Sequence, residues 1–347
     1  MDSKPIVTCH GDQVLFSKLR NFVVQGLPKE PVEWKRAYGR PRALKIEANF
    51  VPFNPDILPE EDDWSLPGRP LFHTYWLDCD LDRYKSEVKG EISDWLMNLK
   101  DDNINDWLIV IVVNDESKVK TKILRTSVYD KVKSDFCGKN SDRCIVLTEP
   151  LKFESKSTES WSALLTRMRV LLLQSYDTNV GHFEDHMRAE RERRTEKGWN
   201  FCSYFLLQEE LALMFEMLCL YEDALVQYDE LDALFTQYVL NHAAGDTTPW
   251  LSTFTASQNQ TWDGLCLSQP INITKRQLIK RCKASLLDFR NYLFSRQCAL
   301  TFLLQQPWEV AQRSIPFMHN CINELKMLTI EMPPGATSCW VFISCLE

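Results

Sequence analysis

Three carboxylate side chains follow apolar segments that have the composition of β-strands. Asp78, Asp115 and Glu149 stand in the strings WLDCD, VVND and VLTEP. Because ligands of parallel α/β sheets bind beyond the carboxyl ends of the strands, these carboxylates could together hold Mg²⁺. They would then serve a nucleotide- or Mg-dependent α/β enzyme. Acidic residues are also common in turns that leave strands, and no glycine-rich loop, nucleophile or general base accompanies these three.

Two further motifs that could bind metal or phosphate are incomplete. His182 and His186 have the i, i+4 spacing of a helical zinc site, but Phe183 occupies the position of the expected general-base Glu, and no third ligand is apparent. Gly138 resembles part of a phosphate-binding loop, but Lys133 stands where the first Gly is required. We therefore predict no catalytic residue, no cofactor and no metal site, and a solvated helix around the histidines.

A highly charged segment covers residues 184–197 (EDHMRAERERRTEK) and invites a membrane or nucleic-acid interpretation. Its five basic and five acidic side chains instead favour a solvent-exposed helix laced with salt bridges. The net charge of −8 also argues against a general nucleic-acid binder.

An aromatic loop supplies the candidate partner-binding residues. Trp250, Phe254 and Trp262 lie in the loop predicted over residues 243–270. Aromatic side chains are favoured as anchors of protein interfaces, so we predict a partner-binding surface here. The alternative is that the loop folds under the neighbouring helices.

These candidates depend on two predicted domains. Residues 1–155 alternate strands and helices, as a three-layer α/β domain does. Residues 107–113 (WLIVIVV) are consecutive apolar side chains, mostly β-branched, which predicts a strand buried on both faces of a mostly parallel sheet with flanking helices. The other predicted strands are 4–9, 43–53, 71–77 and 144–147, and the predicted helices are 13–25, 81–100 and 126–136.

Residues 156–347 are predicted to form an α-helical, TPR-like irregular solenoid. The predicted helices cover 158–176, 183–197, the pair within 207–240, 275–306 and a segment that starts at Pro307. The apolar string CWVFISCLE begins a new segment that stops without a cap, so we expect this solenoid to be truncated at its C-terminal end.

The repeat hypothesis starts from the apolar pattern in residues 207–240. Leu211-Ala212, Phe215, Ala224 and Tyr228 follow the spacing of a tetratricopeptide-type hairpin. The same spacing recurs 87 positions later at Cys298-Ala299, Phe302, Ala311 and Ile315. No Gly or Pro separates Leu218 from Ala224, so one continuous helix would satisfy the same pattern. Such hairpins usually stack into scaffolds, and a free-standing peptide adaptor is a further possibility.

The cysteines indicate the compartment. Twelve are present with no pair at metal or redox spacing, and several lie on apolar helical stripes, as free thiols do. No signal peptide and no apolar segment of membrane-spanning length is apparent, so we expect a reduced, cytoplasmic protein.

Long non-repetitive strings resemble the amino-terminal part of one known family, subunit ten of the transport protein particle (TRAPP), which is specific to the TRAPP II complex. They include KPIVTCHGDQ at 4–13, EPVEWKRAYGR at 30–40, DWLIVIVVND at 106–115, SDRCIVLTEPLK at 141–152, QEELALMFEML at 208–218, YEDALVQYDELDALF at 221–235, YLFSRQCAL at 292–300 and QPWEVAQR at 306–313.

The resemblance implies a non-catalytic scaffold in a vesicle-tethering complex that is also a Rab guanine-nucleotide exchange factor. The exchange site would belong to small core subunits. The implied partners are a small sedlin-like adaptor subunit and the second large TRAPP II subunit, with Rab GTPases reached indirectly. Localisation would be cytoplasmic and peripheral at the late Golgi, with membrane association only through the complex and no role for nucleic acid.

Overall fold

The computed structural model describes residues 4–36, 40–58, 65–114, 127–138, 141–152, 154–256, 265, 267 and 271–347. The chain divides into two compact units, residues 2–182 and 183–347. This division falls inside one helix, and the boundary that we expect at residue 155 marks the start of that helix. The boundary itself stays a prediction.

The first unit contains a five-stranded parallel sheet, whose strands in chain order are β1 (Ile6–Gly11), β4 (Asn49–Pro52), β5 (Pro70–Leu77), β6 (Trp107–Asn114) and β7 (Cys144–Glu149). Their order across the sheet is β4-β1-β5-β6-β7. A separate antiparallel pair joins β2 (Val32–Trp34) to β3 (Arg42–Leu44). The predicted strand over 43–53 is thus two strands in different sheets.

Helices cover both faces of the parallel sheet. They are α1 (Gln13–Gly26), α2 (Leu81–Arg83), continued through the π turn Tyr84–Val88 into α3 (Lys89–Asp101), α4 (Val128–Val132) and α5 (Ser155–Glu192). Tyr75 of β5 packs with Trp95 of α3, whereas the next residue, Trp76, packs with Phe16 of α1. Because successive strand side chains point to opposite faces, α1 and α3 lie on opposite sides of the sheet. The predicted sheet with flanking helices is confirmed.

Helix α5 merges two predicted helices, 158–176 and 183–197, into 38 residues. Its first half is anchored inside the first unit: the Arg169 guanidinium donates to the carbonyls of Gly26 (2.8 Å) and Leu27 (2.9 Å), and Trp161 Nε1 donates to the Thr148 carbonyl (3.2 Å). Helix α5 continues through Gly181, which lies between the two predicted helices, because a single Gly costs a helix only about 1 kcal/mol.

The described residues of the second unit form helices joined by turns and contain no strand, as predicted. Its helices are the last part of α5, α6 (Phe201–Met217), α7 (Tyr221–Ala243), α8 (Ser252–Ala256), α9 (Ile273–Lys280), α10 (Leu286–Leu303), α11 (Pro307–Met327) and α12 (Ala336–Leu346). Helix α7 packs between α6 and α10, and α10 also packs against α9 and α11.

Residues 207–240 form a hairpin of α6 and α7, not one continuous helix. The turn is made by Cys219, which adopts a left-handed conformation with φ of 59°. Its N–H donates to the Glu216 carbonyl (2.9 Å), and the N–H of Leu220 donates to the Phe215 carbonyl (2.8 Å). These two bonds satisfy the carbonyls at the end of α6, the geometry that usually requires Gly.

The predicted helix over 275–306 is wrong, because it is divided into α9 and α10. Cys282 ends α9 in the left-handed conformation (φ 52°), and Ser285 begins α10. The Ser285 hydroxyl accepts from the Asp288 N–H (3.1 Å), while the Asp288 carboxylate accepts from the Ser285 N–H (3.2 Å). This reciprocal capping box is a start signal that the apolar periodicity concealed.

The predicted repeat register is displaced by one residue. Gln305 makes the α10–α11 turn as Cys219 makes the α6–α7 turn, which sets a spacing of 86 and not 87. Accordingly, Phe302 and Ile315 are exposed (44% and 73%), whereas their supposed counterparts in the first hairpin, Phe215 and Tyr228, are 1% and 0% exposed. The two hairpins therefore correspond in turn geometry but not in the residues that the apolar pattern equates.

Candidate interaction site in the helical unit

A network of buried ion pairs, which forms two separate groups, joins the helices of the second unit, and Arg290 of α10 lies at the centre of the first group. Its guanidinium donates to Glu324 of α11 (Nε to Oε2, 2.7 Å) and to Thr236 of α7 (2.9 Å), and it also pairs with Asp232 of α7. The side chain is only 3% exposed. Burial acts to lower the pKa of Arg290, but the hydrogen bond and charge of Glu324 outweigh this and raise it. Arg290 is therefore a permanent cation clamped between α7 and α11.

Glu209 of α6 is the central anion of the second group. Its carboxylate is fully buried and accepts from Arg276 of α9 (2.6 Å), Tyr292 of α10 (2.6 Å) and Tyr228 of α7 (3.2 Å). Burial, followed by the neighbouring charge of Glu209, raises the pKa of Tyr292, which stays a neutral donor. One carboxylate thus links four helices.

Arg296 of α10 completes the network. It is 1% exposed, pairs with Glu216 of α6 and donates from Nε to the Tyr228 hydroxyl (3.1 Å). We name the set Glu209, Glu216, Arg276, Arg290, Arg296 and Glu324 the arginine network. Each charged group of this set is hydrogen-bonded to another side chain, and none of them is an exposed nucleophile or base. The arginine network therefore fixes the helices of this unit relative to one another.

The aromatic loop residues lie inside the unit. Trp250 is 8% and Phe254 1% exposed. The Trp250 ring stacks on Phe201 (5.2 Å between centroids), and Phe254 contacts Phe235 (5.4 Å) and Phe289 (5.4 Å). Trp262 lies outside the described residues. In the described chain the loop thus packs under the helices, and its use as a partner-binding surface stays a prediction.

Exposed apolar side chains gather instead at the α10–α11 turn and along α11. Trp308 is 60% and Ile315 73% exposed, and Phe302 and Leu303 at the end of α10 are 44% and 47% exposed. The charged side chains of α11 in this region, Glu309 and Arg313, are paired with each other and only 30% and 32% exposed. We name these four side chains the α11 surface. Trp is among the residues most enriched as interface anchors, which makes Trp308 the strongest candidate anchor of this surface. The repeat spacing, in contrast, equated Phe302 and Ile315 with core positions of the first hairpin.

The strand-end carboxylates are not brought together by the sheet. Asp78 follows β5 and Glu149 ends β7, with β6 between them, so their backbones are about 10 Å apart across the sheet. The register also places Glu149 two residues further along than Asp78. Asp115 lies outside the described residues. Within the described ranges, no group of three or more His, Cys, Asp or Glu side chains could hold a metal ion.

The turn after β1 leaves little room for a phosphate at the switch point of this sheet, between β1 and β5. Gly11 has φ of 82°, and a Cβ there would lie 2.3 Å from the Trp76 carbonyl oxygen. The N–H of Asp12 donates to that same carbonyl (2.9 Å), and the Asp12 carboxylate caps α1. The backbone donors and the helix terminus that a nucleotide would use are therefore already engaged.

None of the helices in the described part of the chain is both long enough and apolar enough to cross a membrane.

Comparison with known proteins shows which class of protein this chain belongs to. Residues 1–194 match the family model described as trafficking protein particle complex subunit 10-like, N-terminal. Across 351 aligned residues, the whole chain is 55% identical to human trafficking protein particle complex subunit 10, of which it covers 28%. It is 38% identical to the Drosophila melanogaster subunit 10, covering 31% of that protein. It is also 29% identical, over 77% of the chain, to an Arabidopsis thaliana homolog of the trafficking protein particle complex II-specific subunit 130.

The chain thus belongs with subunits of a trafficking complex, and among these it is a member of the trafficking protein particle complex subunit 10 family, as its sequence indicates. It spans less than a third of the length of the curated relatives named here.

Proposed function

We propose that this chain is a non-catalytic scaffold of the TRAPP II complex, which links the core of that complex to peripheral subunits during Golgi vesicle transport. The observation that carries the proposal is the similarity to subunit 10 over the whole chain. The arginine network supports it, because a surface held by buried, mutually satisfied charges is rigid and suited to fixing other subunits in place.

In this proposal, the Rab guanine-nucleotide exchange site belongs to other subunits of the assembly. The separated strand-end carboxylates and the occupied β1–α1 turn favour this assignment over a nucleotide- or Mg-dependent enzyme. Calorimetry of residues 1–347 with Mg²⁺ and guanine or adenine nucleotides is expected to give no saturable heat. Saturable binding that is lost in Asp78→Asn would replace the scaffold proposal with the enzyme.

The α11 surface is the proposed contact with another TRAPP subunit, the small sedlin-like adaptor or the second large TRAPP II subunit. The test is co-purification of residues 1–347 with the separately expressed TRAPP subunits. Trp308→Ala and Ile315→Ala are each expected to weaken the complex by about thirtyfold if they are anchors worth about 2 kcal/mol. Ile273→Ala is the matched control, because Ile273 is equally exposed (69%) but lies on α9.

The possible results separate the proposals. Loss of binding with Trp308→Ala but not with Ile273→Ala supports the α11 surface. Loss with Trp262→Ala alone would move the contact to the aromatic loop. If none of the subunits binds residues 1–347, the scaffold proposal fails for this part of the protein.

A further inference from the structure

A small cavity lies in the second unit between the end of the charged segment and α7. It measures about 360 Å³ and is lined by Arg191, Arg194, Leu234, Gln237, Tyr238 and Asn241. The lining is mostly polar and contains two guanidinium groups but no carboxylate. Ligand pockets in proteins start at about 300 Å³, so the space suits a small molecule or a headgroup. We name it the Arg191 cavity.

The two arginines of the cavity differ from their neighbours in the same segment. Arg188 pairs with Asp185 (3.0 Å), and Arg193 pairs with both Glu190 (2.7 Å) and Glu196 (2.9 Å). These pairs fulfil the expectation of a salt-bridged solvent face.

Arg191 and Arg194 have no carboxylate partner within the described ranges. Among the described residues, the only hydrogen bond that either guanidinium makes runs from Arg194 Nη1 to the Arg191 carbonyl (3.3 Å). The pairing within the segment leaves two guanidinium groups at the cavity that no carboxylate of the described residues binds directly. Guanidinium groups match phosphate oxygens in shape and charge, and they bind them by paired hydrogen bonds.

The α7 wall of the cavity offers further polar groups. Gln237 Nε2 donates to Asn241 Oδ1 (2.7 Å), which orients the amide group of Asn241 and leaves its NH₂ as a donor. The Tyr238 hydroxyl is buried and has no hydrogen-bond partner in the described part of the chain.

The Tyr238 ring is held against Trp199 (5.8 Å), Phe201 (6.2 Å) and Trp250 (5.1 Å), so it cannot easily swing its hydroxyl into solvent. A buried hydroxyl without a partner costs about 1–3 kcal/mol. Burial raises the pKa of Tyr238, and the charges of Arg194 and Arg191 act against that rise, which places both cations within electrostatic range of the hydroxyl.

We propose that the Arg191 cavity binds a phosphate monoester, carried by a small soluble molecule or by a lipid headgroup, with Arg191 and Arg194 holding the phosphate oxygens. Asn241 supplies a neutral donor beside them, and Leu234 gives an apolar wall for the organic part of the ligand. This site is independent of the α11 surface and of the proposed scaffold function.

The test is a titration of residues 1–347 with inorganic phosphate, compared with chloride at the same ionic strength and followed by the Nε–H signals of arginine in NMR spectra. Arg191→Gln and Arg194→Gln identify the two signals. Phosphate is expected to shift both signals saturably, and each variant is expected to weaken binding by about tenfold, the value of one charge-assisted hydrogen bond. Arg193→Gln is the matched control and should leave the affinity unchanged, because Arg193 is engaged by its own carboxylates.

Two further arms identify the source of the phosphate. Inositol 1,4-bisphosphate tests a soluble ligand, and phosphatidylcholine vesicles with phosphatidylinositol 4-phosphate test a headgroup, against vesicles of equal charge made with phosphatidylserine. Tighter binding in either arm that is lost in the Arg191→Gln/Arg194→Gln variant supports the site and names its source. Equal shifts with chloride, equal loss in Arg193→Gln, or vesicle binding that follows only the total charge overturns it.

Discussion

Replacing Arg290 by Met removes the cation that pairs with Glu324 in the arginine network while keeping a side chain of similar length. Glu324, only 5% exposed, then stays buried without its guanidinium. Removing one member of a buried ion pair costs about 3–5 kcal/mol, because the remaining charge loses its compensation and cannot regain water. The hydrogen bond to Thr236 adds about 1 kcal/mol. Asp232 is 40% exposed and regains solvent, so its loss contributes little.

We therefore expect Arg290→Met to lower the free energy of unfolding of the helical unit by about 4 kcal/mol, a large part of the stability of an ordinary domain. Urea unfolding followed by ¹⁹F NMR of 5-fluorotryptophan measures this unit separately. Trp340 of α12 is the reporter, because its indole Nε1 donates to Asn291 of α10 (3.2 Å) and senses the packing of that helix.

Two companion variants test whether the buried charges stabilise the helical unit. Arg290→Met/Glu324→Leu removes both charges and is expected to recover about 3 kcal/mol of the loss, since apolar replacements of a buried pair are often nearly neutral. Arg313→Met breaks pairs with Asp229 and Glu309 that are partly exposed, and it should cost about 0–1 kcal/mol. If Arg290→Met costs no more than Arg313→Met, or if the double variant is as unstable as the single one, the network does not hold the unit together.

Two further predictions concern single residues. His73 of β5 is fully buried and hydrogen-bonded through Nδ1 to Thr8 Oγ1 (2.8 Å), and burial lowers its pKa from 6.5 to about 4. As the pH falls, the unfolded chain therefore binds a proton on this histidine before the folded chain does. The free energy of unfolding is thus highest above pH 6.5 and falls by about 3 kcal/mol as the pH drops towards 4. His73→Gln should reduce this pH dependence, which urea unfolding at a series of pH values measures. Gln305→Gly should raise the melting temperature by relieving a left-handed conformation (φ 60°) worth about 1 kcal/mol, while Gln312→Gly, inside α11, should lower it; equal effects would show that the turn is unstrained.

The central strands of the sheet were predictable because apolar side chains dominate their sequences. Residues 71–77 and 107–113 admit few polar side chains, and a strand covered by helices on both faces requires this. The segment 43–53 was harder. Its alternation is real, but Leu44 pairs with Val32 and Phe50 with Val7, and strand pairing is not encoded in local periodicity.

The helix boundaries were less predictable because backbone geometry, not residue type, sets them. The turns after α6, α9, α10 and α11 use Cys219, Cys282, Gln305 and Thr329 in the left-handed conformation, where Gly is the usual signal. A search for Gly and Pro therefore misses these turns, and the periodicity of one helix continues into the next.

The candidate site was predictable in composition but not in placement. Trp250 and Trp308 are equally plausible interface anchors in the sequence, yet one is 8% and the other 60% exposed. Arg290 and Arg296 look like surface charges until the helices around α10 are in place. Burial of this kind depends on partners that are distant in the sequence, which no local pattern records.

The arginine network has a consequence for how the protein is made on the ribosome. Glu209 and Glu216 leave the ribosome with α6, but Arg276 follows 67 residues after Glu209, and Arg296 follows 80 residues after Glu216. At translation rates of about 5–20 residues per second, the 80 residues from Glu216 to Arg296 take roughly 4–16 s. During that interval the nascent α6–α7 hairpin carries two carboxylates that it cannot bury, so its apolar face stays open to chaperones until α10 emerges.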